Sequence, residues 1–399
     1  MAVARLQSVA VGTGHGDATS VARLALTDFR CYASLRLALE PRSVVLTGPN
    51  GAGKTNLLEA LSFLAPGRGL RGASLAEVGR RGAGEAGTRA WGVAATLATP
   101  DGEVEIGTGL VPDSAETATP RRSLRIDGKP QRGQAMLAER VGALWITPDM
   151  DTLFGEGATA RRRFLDRLVF GLDSAHAERL AAYERALRER ARLLRAQKFG
   201  ERADPAWLGA LERTMAEQGI AVTAARQHLI FRLNAACEMG VGPFPAARLA
   251  LAGGVEALLD RMKALDAEEA FREHLLSSRL RDAETGGAAI GPHRSDLLAT
   301  HVSKGQKASL CSTGEQKALL VSIVLANARL RALDRGAAPL LLLDEVAAHL
   351  DEERREALYA EIDALKCQAW LTGTDEAVFA PIAFTAQHFR VRDASLFPA

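Results

Sequence analysis

Apolar side chains recur along this chain at two periods, and the change from one to the other divides it. Residues 43–47 form a short run with a Val-Val-Leu core, the composition of a buried strand, and Leu57, Leu58, Leu61 and Leu64 follow at helical spacing. Before them, 21–26 and the alternating Leu35, Leu37 and Leu39 read as two more strands, so residues 21–47 predict the start of a mixed sheet. After them, a loop rich in Gly and Arg over 67–87 precedes three strand-like runs, 91–97, 103–110 and 123–126. These predict an antiparallel meander with Asp127-Gly128 as a hairpin turn. Residues 143–146 are a further strand.

Past Thr147-Pro148-Asp149 the helical period takes over. Leu180, Tyr183, Leu187, Ala191 and Leu194 recur every third or fourth residue amid Arg179, Arg185, Arg188, Arg190, Arg192, Arg195 and Lys198. A break at 200–204 ends in Asp204-Pro205, a good helix start, and Leu208, Leu211, Met215, Val222, Leu229 and Leu233 continue the seam. Two such helices, roughly thirty to forty residues each, predict an antiparallel pair, a compact arm far shorter than a coiled-coil rod. With a third run over 255–280, residues 151–284 are expected to be an all-helical arm. Strand-and-helix text returns at 285, so the arm is inserted into one α/β unit, 21–150 and 285–399. Residues 1–20 read as a disordered lead-in.

Composition narrows the class without choosing a function. With 399 residues, 47% of them hydrophobic and 25% charged, the chain is ordinary for a globular protein of two or three domains. No run approaches a membrane span and no secretory signal opens the chain, so a cytoplasmic protein with no membrane partner is expected. Cys31, Cys237, Cys311 and Cys367 are scattered without the close pairs of a zinc site or disulfide framework. A net charge of +2 does not point to nucleic acid, so any basic surface must come from local clustering. Arg121, Arg122, Arg125, Lys129 and Arg132 form one such stretch, for which a solvated face is the default reading.

The chemistry sits between the strand at 43–47 and the helix after it. Gly48-Pro49-Asn50-Gly51-Ala52-Gly53-Lys54-Thr55-Asn56 satisfies the phosphate-loop pattern in its required strand-loop-helix context and predicts nucleotide binding. Gly48, Asn50, Gly51, Gly53 and Asn56 belong to a backbone cradle whose N–H groups face phosphate oxygens, helped by the positive end of the helix dipole. Lys54 would reach the β- and γ-phosphates and Thr55 would hold Mg²⁺. Far downstream, Leu340-Leu341-Leu342-Leu343-Asp344-Glu345 reads as a strand buried on both faces with two carboxylates at its end. In a phosphate-loop ATPase Asp344 would share the Mg²⁺, and Glu345 would orient or deprotonate the attacking water. Asp28-Phe29-Arg30 lies between the first two strands, where the arginine would either pack against a nucleotide base or be solvated.

Between the two motifs, Cys311-Ser312-Thr313-Gly314-Glu315 opens another apolar-faced helix. Ser312 with Glu315 is a capping box, and a Ser-x-Gly helix start is also an anion site. Here the sequence resembles the ABC-type ATPases, whose signature loop contacts the nucleotide held by a partner's phosphate loop; Thr313 stands where that family often has glycine. By that resemblance Ser312, Gly314 and Glu315 are nucleotide contacts made across an ATP-dependent homodimer. Phe29-Arg30-Cys31-Tyr32, the phosphate loop through Glu59, Arg-Arg-Arg-Phe-Leu-Asp at 161–166, Gly-Pro-His-Arg-Ser-Asp-Leu at 291–297, and the signature and acidic segments resemble, in order, the RecF family of bacterial recombination mediators, similar to SMC heads. The resemblance implies a weak ATPase that closes on double-stranded and gapped DNA and, with RecO and RecR, helps load RecA. Two departures accompany it. Asp149 and Thr374 stand where many ABC ATPases have a coupling glutamine and a sensing histidine. Charge alone nominates Arg71, Arg121, Arg122, Arg185, Arg188, Arg192 and Arg195 as DNA contacts. The alternatives are an SMC-type chromosome organiser, for which the arm is short, and a transporter subunit, which would lack the insertion.

Overall fold

The computed structural model describes residues 18–80, 89–110, 121–131, 133–198 and 204–399. The lead-in up to residue 17, positions 81–88 of the Gly- and Arg-rich loop, Arg132, Phe199 and 200–203 of the predicted break lie outside the described residues. Strands β1 (Ser20–Phe29) and β2 (Tyr32–Ala38) form an antiparallel hairpin, and β3 (Val44–Thr47), buried at every position, leads through the glycine-rich loop into α1 (Lys54–Ser62). A short α2 (Leu75–Val78) precedes β4 (Trp91–Thr99), β5 (Gly102–Leu110), β6 (Arg122–Ile126) and β7 (Lys129–Pro130). Asp127 and Gly128 both take positive φ, as a tight hairpin with right-handed strand twist requires. The meander is therefore as predicted, but β1 and β2 join it, in the order β2-β1-β4-β5-β6-β7. They do not share a mixed sheet with β3.

The second sheet is built from distant pieces. After α3 (Ala135–Arg140) comes β8 (Ala143–Ile146), then a 3-10 turn, Pro148–Thr152, and α4 (Ala158–Phe170), α5 (His176–Lys198) and α6 (Pro205–Glu238). Next are β9 (Ala247–Ala252), α7 (Gly254–Leu259), α8 (Ala264–Ser277), α9 (Arg279–Thr285), β10 (Asp296–His301) and β11 (Gln306–Lys307). The chain ends with α10 (Thr313–Arg335), β12 (Leu340–Leu343), α11 (Glu352–Ala364), β13 (Ala369–Gly373), β14 (Gln387–Arg392) and β15 (Ser395–Pro398). The sheet order is β15-β14-β3-β13-β12-β8, parallel throughout except where β15 turns back on β14.

This sheet is buried on both faces, with the two-residue period of a strand deciding which core each side chain enters. Val44, Leu46, Leu340, Leu342 and Trp370 join one core with α1 and the antiparallel sheet. Val45, Leu341, Leu343 and Leu371 join the other, with α4, α10 and the C-terminal part of α6. The stretch expected to be all helical holds one strand, β9, which pairs antiparallel with β10 beyond the expected end of the arm. The predicted third helix is three pieces, broken at the Leu259–Lys263 turn and at Ser278. Helix α6, with 34 residues, spans about 51 Å. Its first half packs on α5 and α8 around Tyr183, Met215 and Phe271, while Leu229 and Leu233 enter the core beneath the parallel sheet. Among the described residues no helix is long and apolar enough to cross a membrane.

The two motifs at 161–166 and 291–297 meet where the helices join the sheet. Asp166, buried, accepts two hydrogen bonds from Arg226 at 2.8 Å each and a contact from His176 Nε2 at 2.9 Å, and Arg226 also donates to the Pro292 carbonyl. Arg161 forks onto Asp296 at 2.7 and 2.9 Å, and Arg162 donates to the Ser295 carbonyl. Removing one partner of such a buried pair leaves an uncompensated charge. Asp166→Asn should cost about 3–5 kcal/mol in denaturant unfolding. Burial alone would raise the Asp166 carboxyl, but Arg226 and His176 outweigh it and hold it below the usual carboxylate range. A depressed carboxyl gives stability that is complete above its unfolded pKa, about 3.9, and lost as pH falls through that value toward the folded one. The acid-side loss of stability should therefore be shallower in Asp166→Asn than in the parent.

Candidate functional site

The parallel strands end together, and their C-terminal ends carry the polar groups that both hydrophobic faces exclude. At the end of β3 the chain turns through three glycines of positive φ: Gly48 at 144°, Gly51 at 80° and Gly53 at 118°. A Cβ on Gly48 would lie 2.2 Å from the Val391 carbonyl oxygen, so the loop is also pressed against β14. Tyr32 closes the other side, its hydroxyl donating to the Gly53 carbonyl at 3.2 Å. Lys54 starts α1 and is 4% exposed, with Nζ donating to the carbonyls of Gly48 at 2.7 Å and Pro49 at 3.0 Å. Burial lowers its pKa, and the Glu345 and Asp344 carboxylates offset part of that effect.

The two acids emerge from β12 as predicted and meet α1. Thr55 Oγ1 donates to Asp344, 2.9 and 3.1 Å from its two carboxylate oxygens. Thr372, buried near the end of β13, donates to Asp344 Oδ1 at 2.6 Å while its oxygen accepts the Glu345 N–H at 2.9 Å. One hydroxyl thus holds both acids in place. Glu345 has φ 55°, a left-handed conformation that costs a non-glycine residue about 1–3 kcal/mol and that clusters at functional positions. A buried carboxylate beside a threonine hydroxyl is an oxygen-only donor set that fits Mg²⁺, which takes one or two protein oxygens and fills its shell with phosphate and water.

The signature segment is elsewhere on the subunit. Ser312 caps α10, accepting from Glu315 N at 3.4 Å while the Glu315 carboxylate accepts from Ser312 N at 3.0 Å. Lys304 and the cap together hold Glu315 down to about 2. Lys317 ties this helix start to Asp151 in the turn after β8, at 2.9 Å. In the sheet β8 lies three strands from β3, about 14 Å away. Lys54, Thr55, Asp344 and Glu345 are therefore gathered into one site, whereas Ser312, Gly314 and Glu315 form a second one.

Several expectations change with the packing. Arg30, half-buried, forks onto the buried Glu59 at 2.6 and 2.8 Å. Asn56 donates from Nδ2 to Cys31 Sγ and accepts from Arg71 at Oδ1. Arg122, expected on a DNA surface, is an interior strut: it donates to Thr108 at 2.7 Å, to Gly67 O at 3.0 Å and to Phe63 O, and stacks over the Phe63 ring. Burial pushes its guanidinium down to about 10. Arg71 is half-exposed beside Glu59, and Arg121, Arg185, Arg188, Arg192 and Arg195 are exposed. Arg190, from the same cluster, is buried against Glu212 and Asp282. Asp149 and Thr374 are both exposed at the strand ends. Thr372 escaped the sequence reading because a threonine closing an apolar run has no motif of its own.

The family described as RecF/RecN/SMC N terminal domain matches residues 20–393. The chain is 48% identical over 380 residues to the DNA replication and repair protein RecF of Rhizobium etli (strain CIAT 652), covering 95% of this chain and 98% of that one. To the protein of the same description in Rhizobium rhizogenes (strain K84 / ATCC BAA-868) it is 50% identical over 374 residues, 93% of this chain and 96% of the other. A solved structure of the recombination mediator protein RecF-ATPrS in the RecFOR pathway superimposes with a TM-score of 0.81 at 20% identity, covering 96% of this chain and 98% of that chain. The Smc head domain with an extended coiled coil from Pyrococcus furiosus gives 0.52 at 17%, covering 96% of each. At those identities the likeness is one of fold.

Thr372→Val removes one donor from a buried carboxylate and one acceptor from a strained N–H. It should cost about 1–3 kcal/mol by urea unfolding. Thr372→Ser should restore most of it, and equal losses in both variants would mean that packing of the methyl, not the hydroxyl, is what matters.

Proposed function

The chain belongs to the RecF family of DNA replication and repair proteins, and on that premise we propose that it is an ATP-dependent duplex-DNA-binding recombination and repair protein, two copies of which close on ATP and reopen on slow hydrolysis. The observation that carries this reading is the separation of the phosphate loop from the Ser312 helix start on one subunit. The Ser312 helix is tied through Lys317 to the turn after β8, three strands from β3, and a signature segment set apart from its own phosphate loop would meet a nucleotide held by a second copy. Residues 21–150 and 285–399 act as the head and 151–284 as the arm, with α4 and the end of α6 packed into the head.

In this reading the backbone N–H groups of Gly51 to Lys54 and the Lys54 ammonium bind the β- and γ-phosphates. Thr55 and Asp344 would hold Mg²⁺, which neutralises phosphate charge when bound. Glu345, half-exposed and facing the same space, orients and deprotonates the attacking water. Thr372 keeps its backbone aimed there. The partner's Ser312 side and Gly314 N–H complete the phosphate cage from across the dimer, which makes closure depend on the γ-phosphate.

Closed heads present one continuous surface, and a duplex or gapped DNA would be held there through its backbone. Arg185, Arg188, Arg192 and Arg195 repeat along one face of α5, and Arg71 and Arg121 lie in exposed stretches of the head. RecO and RecR are the proposed partners and loading of RecA at single-strand gaps the outcome. The arm argues against a chromosome organiser: α5 has 23 residues, about 35 Å of helix, too short for the rod that SMC action needs.

Ser312→Arg should leave ATP binding by the monomer intact and abolish ATP-induced dimers in sedimentation, whereas Glu345→Gln should bind ATP, hydrolyse it orders of magnitude more slowly and accumulate dimers. If Ser312→Arg dimerises like the parent, the serine is a helix cap only, worth about 1 kcal/mol.

Reversing Arg185, Arg188, Arg192 and Arg195 to Glu should weaken DNA binding, measured by fluorescence anisotropy, and spare ATP binding. For every phosphate that is no longer neutralised, the log–log salt slope should become shallower by about 0.9. Arg122→Ala should instead lower stability and leave that slope unchanged.

A further inference from the structure

Arg331, Arg167 and Trp145 line one small cavity at the start of β8, and each has a side-chain nitrogen without an acceptor among the described residues. The cavity is about 10 Å³, space for one water-sized body, and lies where the Ala65-Pro66 segment after α1, the first residue of β8, the end of α4 and the last turns of α10 meet. Arg331 enters from α10, 3% exposed, and its Nε has no hydrogen-bond partner among the described residues. Arg167 enters from α4, stacked over Trp145 at 4.4 Å and Phe164 at 5.4 Å. Its Nε and the Trp145 indole N–H are also unpartnered among the described residues.

The fold makes room for Arg331 in particular. A Cβ on Gly171 would stand 2.1 Å from its Cζ, and one on Gly142 2.2 Å from a terminal nitrogen. Gly171 has φ −75°, which any residue adopts, so the glycine is required for space and not for conformation. Burial pushes Arg331 and Arg167 down to about 9 each, with Arg335 adding to the effect at Arg331, so both stay charged at neutral pH. A buried charge needs a counter-charge, and a neutral water would satisfy hydrogen bonds without supplying one.

We propose that this cavity binds a single halide-sized monovalent anion, held by Arg331, Arg167 and the Trp145 N–H. The anion fastens the segment leaving the phosphate-loop helix to β8, α4 and the signature helix α10, so it cross-links the two candidate nucleotide-contacting elements from behind. This site does not depend on the proposed function and would serve any chain with this core.

Crystals of the full chain grown or soaked in bromide test it by anomalous diffraction. A bromide peak beside Arg331 and Arg167 is expected in the parent and none there in Arg331→Met. In solution, replacing chloride by gluconate at constant ionic strength should lower the parent's Tm and leave that of Arg331→Met unmoved. A cavity holding only water, bromide confined to exposed arginines, or equal halide dependence of parent and variant would overturn the proposal. Should Arg331→Met fail to fold, the parent's bromide map decides alone.

Discussion

Burial of the parallel sheet on both faces is the constraint from which the rest follows. Val44 to Thr47, Leu340 to Leu343 and Ala369 to Gly373 are buried at every position, so no polar chemistry can stand along these strands. It is confined to their ends. The C-terminal ends collect the loop glycines, Thr55, Asp344 and Thr372, and the short distances among them come from strands only about 4.8 Å apart. A carboxylate as deeply placed as Asp344 is tolerable because two hydroxyls donate to it.

The same dry interior explains why arginine, abundant in this chain, has two unlike uses. On the solvent face of α5 it is a loosely paired surface charge, for which an ion pair contributes at most about 1 kcal/mol. Inside, Arg226 on Asp166 and Arg190 on Glu212 and Asp282 join helices to one another, with Arg190 also donating to the Leu275 carbonyl of α8 and Arg226 to the Pro292 carbonyl. Such pairs add little net stability over an apolar packing, but they admit one register only, because a slip would strand a charge. They fix how these helices meet the sheet.

Much of the site was legible along the chain. A glycine-rich turn must follow a buried strand and precede a helix to cradle phosphate, and that order is local. Asp344 and Glu345 are legible for the same reason, because four leucines ending in two acids can be little else than a core strand reaching a rim. Short range also carried the Asp127-Gly128 turn and the cap at Ser312. Arg122 was misplaced because its surroundings, the Phe63 ring and the Gly67 and Phe63 carbonyls, come from a different element. Strand β9 was missed because its partner β10 lies more than forty residues on, past three helical pieces.

What the sequence by itself determined is everything set by neighbours within a few residues: strand and helix periods, the phosphate loop, the acidic strand end, the capped signature helix. Tertiary structure alone decided which of those pieces touch. It put Thr372 between two acids, tied the signature helix to the turn after β8, three strands from β3, and packed Arg122, Arg167 and Arg331 against interior groups. The physical reason is that burial and the pairing of charge depend on atoms brought together from across the chain, and no local pattern records which atoms those will be.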